Sequence, residues 1–307
     1  MNSTHRILTT HVGSLIRPPE VIAILERLYA GEDTPDLDAV LSSAVDDVVR
    51  KQKDCGIDIV SDGEFSKCYT WSPYIIERLE GFERKLLEPD AALTTIRGKD
   101  YERFKDFYDK YEQAEGFAGL RESIKPSVLR VTGPMRYRDG AINADIARLK
   151  HAMEQADVVD AFLPAVAPAS VAPNRIDEHY ESDDDFLFAL ADELNKEYRA
   201  IVDAGFVVQI DDAFMATHYD VIGDCDTYRA WAELRVDALN RALEGVPEER
   251  SRYHLCWGSW NGPHANDIEI KRIVDLVLKI KVGGYAIEMA NPRHEHEWQV
   301  WSDRRGS

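Results

Sequence analysis

The stretch GFVVQIDDA, residues 205–213, decides the fold class that we predict for this chain. It is apolar almost throughout and ends in two carboxylates, Asp211 and Asp212. A short, nearly continuous apolar run is typical of a strand that is buried on both faces, as in a parallel sheet. Carboxylates at the end of such a strand indicate a polar site at the carboxyl edge of that sheet.

Six other segments have the same character, so we predict seven strands. The six are residues 6–14, 56–64, 127–134, 157–168, 252–258 and 283–290. Amphipathic segments separate them; 36–55 stops at Gly56, and 182–204 begins with Ser182 and three acids, which are typical helix ends. Strands and helices that alternate along one chain predict a parallel sheet covered by helices on both faces.

Polar side chains follow most of the predicted strands. They include Ser14, Asp62, Glu64, Asp211, Asp212, His254, Cys256 and Glu288. In a (β/α)8 barrel these strand ends converge on one mouth, whereas a doubly wound sheet needs a glycine-rich turn that HVGSLIRPPE (11–20) lacks. We therefore predict an α/β protein with a TIM-type (β/α)8 barrel as a single domain over residues 1–307. The barrel is expected to be incomplete, because seven strands are readable and the chain ends soon after the seventh.

One segment interrupts the alternation of strands and helices. Residues 97–126, RGKDYERFKDFYDKYEQAEGFAGLRESIKP, are polar, contain several aromatic residues and are mostly helical in pattern. We predict that they form a helical insertion in a βα loop over the mouth rather than a separate domain.

The composition narrows the class of protein. Hydrophobic residues make up 44% of 307, enough for a sizeable core, and the formal net charge of -19 argues against nucleic acid as a partner. No apolar run approaches the roughly 18 residues of a membrane span, and the N-terminus lacks the layout of a signal peptide. Four irregularly spaced cysteines fit a reducing compartment, so a cytoplasmic location is expected.

The stretch YHLCWGSWNG, residues 253–262, raises the question of a metal site. His254 and Cys256 lie two positions apart, so on a strand both side chains point to one face and could approach one zinc ion. Alone this pair is weak evidence, since a structural histidine near a buried thiol is the commoner case. Glu288 strengthens it, because this carboxylate follows the next predicted strand in an apolar context and needs a partner.

Six stretches together resemble the catalytic barrel of cobalamin-independent methionine synthase, especially its short single-barrel relatives, which include epoxyalkane:coenzyme M transferases. The stretches are TTHVGSLIRPPE (9–20), GIDIVSDGEFSK (56–67), VTGPMRY (131–137), VQIDDAFMA (208–216), HLCWGSWNGPH (254–264) and YAIEMANPRHEHEW (285–298). The resemblance implies that zinc is the cofactor and that its ligands are His254, Cys256 and Glu288. The family's second cysteine ligand follows an eighth strand, before which this sequence ends. Zinc is then expected to bind more weakly or to borrow a ligand, for which His294 and His296 are candidates, although polar loop residues are the commoner case.

The same resemblance implies how substrate is held. Val12, Gly13 and Ser14 would bind an amino-acid thiol through backbone groups and a hydroxyl, and Glu64 and Asp211 would bind its ammonium. Structural roles remain open alternatives: a helix N-cap for Ser14, a solvated turn for Glu64 and a buried structural carboxylate for Asp211. No catalytic residue is assigned beyond the metal site.

The expected activity is zinc-dependent transfer of a methyl or alkyl group to a thiol, similar to a 5-methyltetrahydropteroyltriglutamate–homocysteine S-methyltransferase that forms methionine. The expected partners are a small-molecule thiol and a methyl or alkyl donor. One alternative is epoxide opening by a coenzyme M-type thiol. Another is a catalytically silent truncated barrel, whose open sheet edges would favour a homo-oligomer. The local cations that could meet an anionic substrate tail are Arg17, Lys67, Arg136 and Arg293.

Overall fold

The computed structural model describes residues 5–67, 73–86, 98–115, 127–156, 158, 160–171, 175–258 and 262–302. Its helices are α1 (Pro19–Tyr29), α2 (Leu37–Asp54), α3 (Lys99–Arg103), α4 (Lys105–Glu115), α5 (Gly140–Gln155), α6 (Asp183–Asp203), α7 (Phe214–Ile222), α8 (Cys225–Ala242), α9 (Val274–Val277) and α10 (Gln299–Ser302). Its strands are β1 (Ile59–Val60), β2 (Leu79–Leu86), β3 (Ser127–Tyr137), β4 (Asp160–Val166), β5 (Ile176–Asp177), β6 (Val207–Asp212), β7 (Ser251–Leu255) and β8 (Gly284–Ile287).

The main sheet is parallel and curls into half of a barrel. Its strands follow the order β1-β4-β6-β7-β8, and Thr10 adds one parallel bridge beside Ile59. Helices lie between successive strands along the chain, as the alternation of strand and helix patterns predicts. The α/β class and the incomplete barrel are therefore confirmed, while segment 6–14 contributes a single bridge rather than a full strand.

One predicted barrel strand lies elsewhere. Segment 127–134 belongs to β3, which pairs antiparallel with β2 and parallel with β5 in a separate three-stranded sheet. Along β3, buried Val131 and Met135 alternate with exposed Thr132 and Arg136. Such alternation is typical of a sheet covered on one face only, so the placement of this strand in the barrel was wrong.

The helix ends follow the predicted signals. The Ser182 side chain accepts a hydrogen bond from the amide of Asp185 at 3.1 Å and caps α6, whose first turn is acidic. Gly56 follows the end of α2 with φ of +84°, a left-handed conformation that glycine adopts without a steric penalty. Helix α6 then buries Leu190, Leu194 and Tyr198 in the main core.

The helical segment predicted at 97–126 is described only over residues 98–115, where α3 and α4 form. Asp100 is buried and accepts hydrogen bonds from the amide of Ala265 at 2.9 Å and from Nδ2 of Asn266 at 2.7 Å. Its own amide donates to Asp220 at 3.0 Å. Because these partners lie beyond the carboxyl ends of β6 and β7, α3 lies at that end of the half-barrel.

Within the described residues, no helix is long and apolar enough to cross a membrane.

Candidate active site

Strand register places one set of side chains on the inner face of the half-barrel. Gln209 of β6 pairs with Arg252 of β7, which pairs with Gly284 of β8. One step toward the carboxyl ends, Asp211, His254 and Ala286 form the next row. Neighbours in register share a face of the sheet, so these rows form stacked layers inside the barrel.

The inner face borders a cavity of about 630 Å³. His254, Cys256 and Glu288 all line it, as do Arg252, Gly284 and Ala286. Near the amino ends of the strands, Ile59, Phe162 and Val207 form a small apolar cluster, and Ile59 and Val207 also line the cavity. The opposite face of the sheet carries buried side chains such as Val208, Ile210, Tyr253 and Leu255, which pack in the main core.

His254 is oriented by a carboxylate on the adjacent strand. Its Nδ1 lies 3.0 Å from Oδ1 of Asp211, which also accepts a hydrogen bond from Nε2 of Gln209 at 2.7 Å. Burial raises the pKa of Asp211, and the hydrogen bond from His254 opposes that rise. With Nδ1 engaged in this way, Nε2 is the ring nitrogen that remains for a ligand.

Cys256 and Glu288 directly follow the ends of β7 and β8. The amide of Gly258 donates to Sγ of Cys256 at 3.2 Å. Oε2 of Glu288 is buried and has no hydrogen-bond partner among the described residues. A buried carboxylate oxygen without a donor is costly, and this one lines the same cavity as the thiol.

His254, Cys256 and Glu288 offer the donor types of a zinc site. In the described part of the chain, no group of three or more His, Cys, Asp or Glu side chains is arranged to hold a metal ion. The tertiary structure therefore brings His254, Cys256 and Glu288 to one cavity without assembling them around a common point. Imidazole nitrogen, thiolate and carboxylate nevertheless match zinc chemistry, and the unpartnered oxygen of Glu288 is what such a cation would satisfy.

Glu64 occupies a strained turn after β1. It is 1% exposed and is the one residue other than glycine with positive φ, at +59°, among those described. Its Oε1 accepts from the hydroxyl of Ser14 at 3.0 Å, and Oε2 lies 2.9 Å from Nζ of Lys67. A Cβ added to Gly13 would lie 3.1 Å from Oε1, so the glycine permits this close approach. A solvated turn, one alternative for Glu64, is thus excluded.

Residues 12–14 contact the side chains of Glu64 and Gln209. The carbonyl of Val12 accepts a hydrogen bond from Nε2 of Gln209, and Val12 is 47% exposed. Ser14 is exposed and does not cap α1, because that helix begins after Pro18. Val12, Gly13 and Ser14 are therefore next to Glu64 and Gln209, but their role toward a substrate stays a prediction.

Two of the candidate cations are already engaged. Nζ of Lys67 donates to the carbonyl of Pro164 at 2.7 Å. The pKa of Lys67 is raised, because the carboxylates of Glu64, Asp211 and Asp62 together outweigh the lowering effect of burial. Nη2 of Arg17 donates to the carbonyl of Glu64 at 2.8 Å. These two cations therefore secure the Glu64 turn. The other two lie elsewhere: Arg136 is exposed on β3, and Arg293 lies 4.0 Å from Asp267.

The histidines considered as a replacement ligand have other roles. Nδ1 of His294 lies 2.8 Å from Glu297, and its Nε2 lies 3.3 Å from Asp267. Its ring also packs on Trp257, with centroids 4.3 Å apart. His296 is exposed. Neither residue lines the cavity.

Sequence reasoning missed Arg252 and Gln209. Arg252 lies two residues before His254 and donates from Nε to Oε1 of Gln209 at 2.7 Å. Burial lowers the pKa of Arg252 to about 10. The sequence pattern that could have identified Arg252 is the alternation of side chains along a strand, which places Arg252 on the same face as His254 and Cys256.

Proteins of two named activities are similar to most of this chain. A methionine synthase of Sulfolobus acidocaldarius is 25% identical over 275 residues, which cover 88% of this chain and 68% of the relative. A 2-hydroxypropyl-CoM lyase of Xanthobacter autotrophicus is 27% identical over 265 residues, which cover 84% of this chain and 58% of the lyase. Both relatives support the resemblance of the chain to the cobalamin-independent methionine synthase family.

A solved structure related to the methionine synthase family shares the fold. The putative vitamin-B12 independent methionine synthase from Listeria monocytogenes aligns with a TM-score of 0.62 at 21% identity, covering 92% of this chain and 73% of that one. No family model matches the chain. Similarity to methionine synthases and to a 2-hydroxypropyl-CoM lyase supports a methyl- or alkyltransferase-like enzyme.

Proposed function

We propose that this protein transfers a methyl or alkyl group to a thiol, with zinc held by His254, Cys256 and Glu288. The observation that carries the proposal is the unpartnered Oε2 of Glu288, buried in the cavity that His254 and Cys256 also line. The three residues come from consecutive strand ends, β7 and β8, and supply the nitrogen, sulfur and oxygen donors typical of zinc.

The protein's own residues prepare this site for a cation. Asp211 accepts the Nδ1 proton of His254, which fixes the tautomer and leaves Nε2 as a donor atom. Cys256 would give a thiolate and Glu288 a carboxylate. When bound there, zinc would favour the deprotonated form of an incoming thiol and so make its sulfur a stronger nucleophile.

The region near the cavity is suited to an ammonium group. Glu64, Asp211 and Asp62 are carboxylates whose charges act on the single buried Lys67. Arg252 is a second buried cation, on which the charge of Asp211 also acts. Three carboxylates still outnumber these two cations, so one ammonium group, which an amino-acid thiol carries, would be accommodated. We therefore assign Glu64 and Asp211 to the ammonium, with Val12, Gly13 and Ser14 holding the substrate backbone. Homocysteine is the acceptor thiol that fits this assignment.

A second candidate is epoxide opening by a thiol with an anionic tail. It is favoured by the identity to the 2-hydroxypropyl-CoM lyase and by a buried cation, Arg252, in the same cavity. Product analysis separates the two candidates. Methionine formed from homocysteine and a methyl donor supports the first, and a thioether formed from an epoxide and a sulfonate thiol supports the second.

Metal content tests the proposal directly. The purified protein is expected to contain about one zinc per chain, and Cys256→Ala is expected to lose it. Cys225→Ala is the matched control, because Cys225 begins α8 and does not line the cavity. A folded protein that binds no zinc and alkylates no thiol would contradict the proposal and support the catalytically silent alternative.

A further inference from the structure

We propose that Arg252 forms an anion-binding subsite inside the half-barrel, which receives a carboxylate or sulfonate carried by the thiol substrate. The proposal rests on the proposed function for the identity of the ligand as a thiol. The subsite itself follows from three features of the structure: a buried cation, its unused hydrogen-bond donors and the empty volume beside it.

The first feature is a buried charge with no carboxylate in direct contact, although the charge of Asp211 acts on it from a longer distance. Arg252 is 8% exposed, and among the described residues its guanidinium donates to no carboxylate. Its partners are neutral: Oε1 of Gln209 at 2.7 Å, Oγ1 of Thr10 at 3.3 Å and the carbonyl of His11 at 3.1 Å. A buried charge is costly unless an opposite charge compensates it, so this position favours an anionic ligand.

The second feature is the number of donors that remain. A guanidinium has five N–H groups, and the described contacts of Arg252 use three of them. The Phe162 ring covers one face of the guanidinium, and the ring centroid lies 4.0 Å from Cζ of Arg252. These contacts fix the plane of the guanidinium and leave two of its N–H groups without a described partner. A carboxylate or sulfonate could accept hydrogen bonds from them.

The third feature is the space next to it. Gly284 is the register partner of Arg252 on β8, and Ala286 is the register partner of His254. Because these two residues have little or no side chain, they leave space on the inner face of β8, and both line the cavity with Arg252. A Cβ at Gly284 would lie 3.7 Å from Cβ of Arg252, so any larger side chain there would occupy the volume beside the guanidinium.

The position of the subsite selects the length of the ligand. Arg252 and His254 are two residues apart on β7, which corresponds to about 6.6 Å along a strand. A thiol whose sulfur lies near His254 and Cys256 would reach Arg252 only with a short tail. The subsite therefore fits a compact thiol acid of two to four carbons rather than a long or neutral thiol.

The test compares two thiols that differ only in tail charge, by calorimetric titration of the purified protein. We expect 3-mercaptopropionate to bind about tenfold more tightly than 3-mercaptopropionamide. Arg252→Gln is expected to abolish that preference, and Arg252→Lys to retain part of it. Arg136→Gln, at an exposed arginine of β3, is the matched control and is expected to retain the full preference.

A second variant tests the volume. Gly284→Val fills the space beside Arg252 while keeping its charge, and is expected to weaken binding of 3-mercaptopropionate by about tenfold or more. Circular dichroism and a thermal melt establish that each variant is folded. Adding 2-mercaptoethanesulfonate as a third ligand shows whether a sulfonate or a carboxylate is preferred.

The outcomes separate this subsite from the proposed function. An acid preference that disappears in Arg252→Gln supports the subsite even if no thiol is alkylated. Equal binding of the acid and the amide by the folded wild type, or failure of both to bind at millimolar concentration, overturns the subsite even if alkylation is observed. A preference that survives in folded Arg252→Gln also overturns it.

Discussion

Oδ1 of Asp211 lies 3.0 Å from Nδ1 of His254, and the two residues are register partners on β6 and β7. This contact joins a carboxylate predicted to bind substrate with a histidine predicted to bind metal. Carboxylates that accept the second N–H of a ligand histidine fix its orientation and raise its basicity. We therefore expect Asp211 to influence zinc affinity as well as substrate recognition.

The first prediction concerns this contact. Asp211→Asn keeps the size of the side chain but removes its charge, so zinc affinity is expected to fall about 10- to 100-fold. Competition with a chromogenic chelator measures the change. Asp192→Asn, which alters an exposed ion pair with Arg241, is the control and should leave affinity unaltered. Unchanged affinity in Asp211→Asn would show that His254 is not oriented for zinc by Asp211.

The second prediction concerns the buried pair of Glu64 and Lys67. Both side chains are almost fully buried and lie 2.9 Å apart, so Glu64→Gln leaves the Lys67 charge with a weaker partner. The free energy of unfolding is expected to fall by about 3 kcal/mol, measured by urea denaturation. Glu244→Gln breaks an exposed pair with Arg241 and should change it by less than about 1 kcal/mol. Equal effects of the two substitutions would argue against a structural role for the Glu64 turn.

The third prediction concerns pH. Burial, reinforced by the nearby Asp145 carboxylate, raises the pKa of Asp62 to about 6. Since this value exceeds the usual value of about 3.9 in an unfolded chain, the folded state favours the protonated form. The contribution of Asp62 to stability is present below pH 4 and is lost as pH rises through 6.

Asp62→Asn isolates that contribution. The amide oxygen of Asn can still accept the hydrogen bond from the amide of Glu64, which is 2.9 Å from Oδ1. The stability of the variant relative to the wild type is therefore expected to increase between pH 4 and pH 7, measured by urea denaturation at each pH. A difference that stays constant across this range would mean that Asp62 ionises normally in the folded protein.

The fourth prediction separates His294 from His296. His294→Ala removes the partner of two carboxylates, Glu297 and Asp267, and is expected to reduce the free energy of unfolding by about 2 kcal/mol. His296→Ala alters an exposed residue and should have little effect. Zinc content, measured by mass spectrometry, should be unchanged in both variants. Loss of zinc in folded His296→Ala would restore that residue as a metal ligand.

Local pattern was sufficient for much of the architecture. Apolar runs located the strands β1, β4, β6, β7 and β8 of the main sheet, and capping residues such as Ser182 marked helix ends. Strand β3 was misplaced because an apolar run identifies a strand but not the sheet to which it belongs. Its antiparallel partner β2 is distant in sequence, since the paired residues range from Leu86 with Ser127 to Leu79 with Tyr137, and only tertiary packing selects it.

The sequence by itself determined the parallel class of the main sheet and the presence of polar groups at its carboxyl edge, because hydrophobic periodicity and strand ends are local properties. The sequence did not determine which of the neighbouring carboxylates, Asp211 or Asp212, faces the interior of the half-barrel. Register turns Asp211 inward to His254, whereas Asp212 turns outward and accepts hydrogen bonds from Ser170, Tyr253 and the amide of Met215, each at 3.0 Å. Only the tertiary structure decided between them, and likewise revealed Arg252 as a cation inside the barrel, since both depend on which residues of distant strands are neighbours.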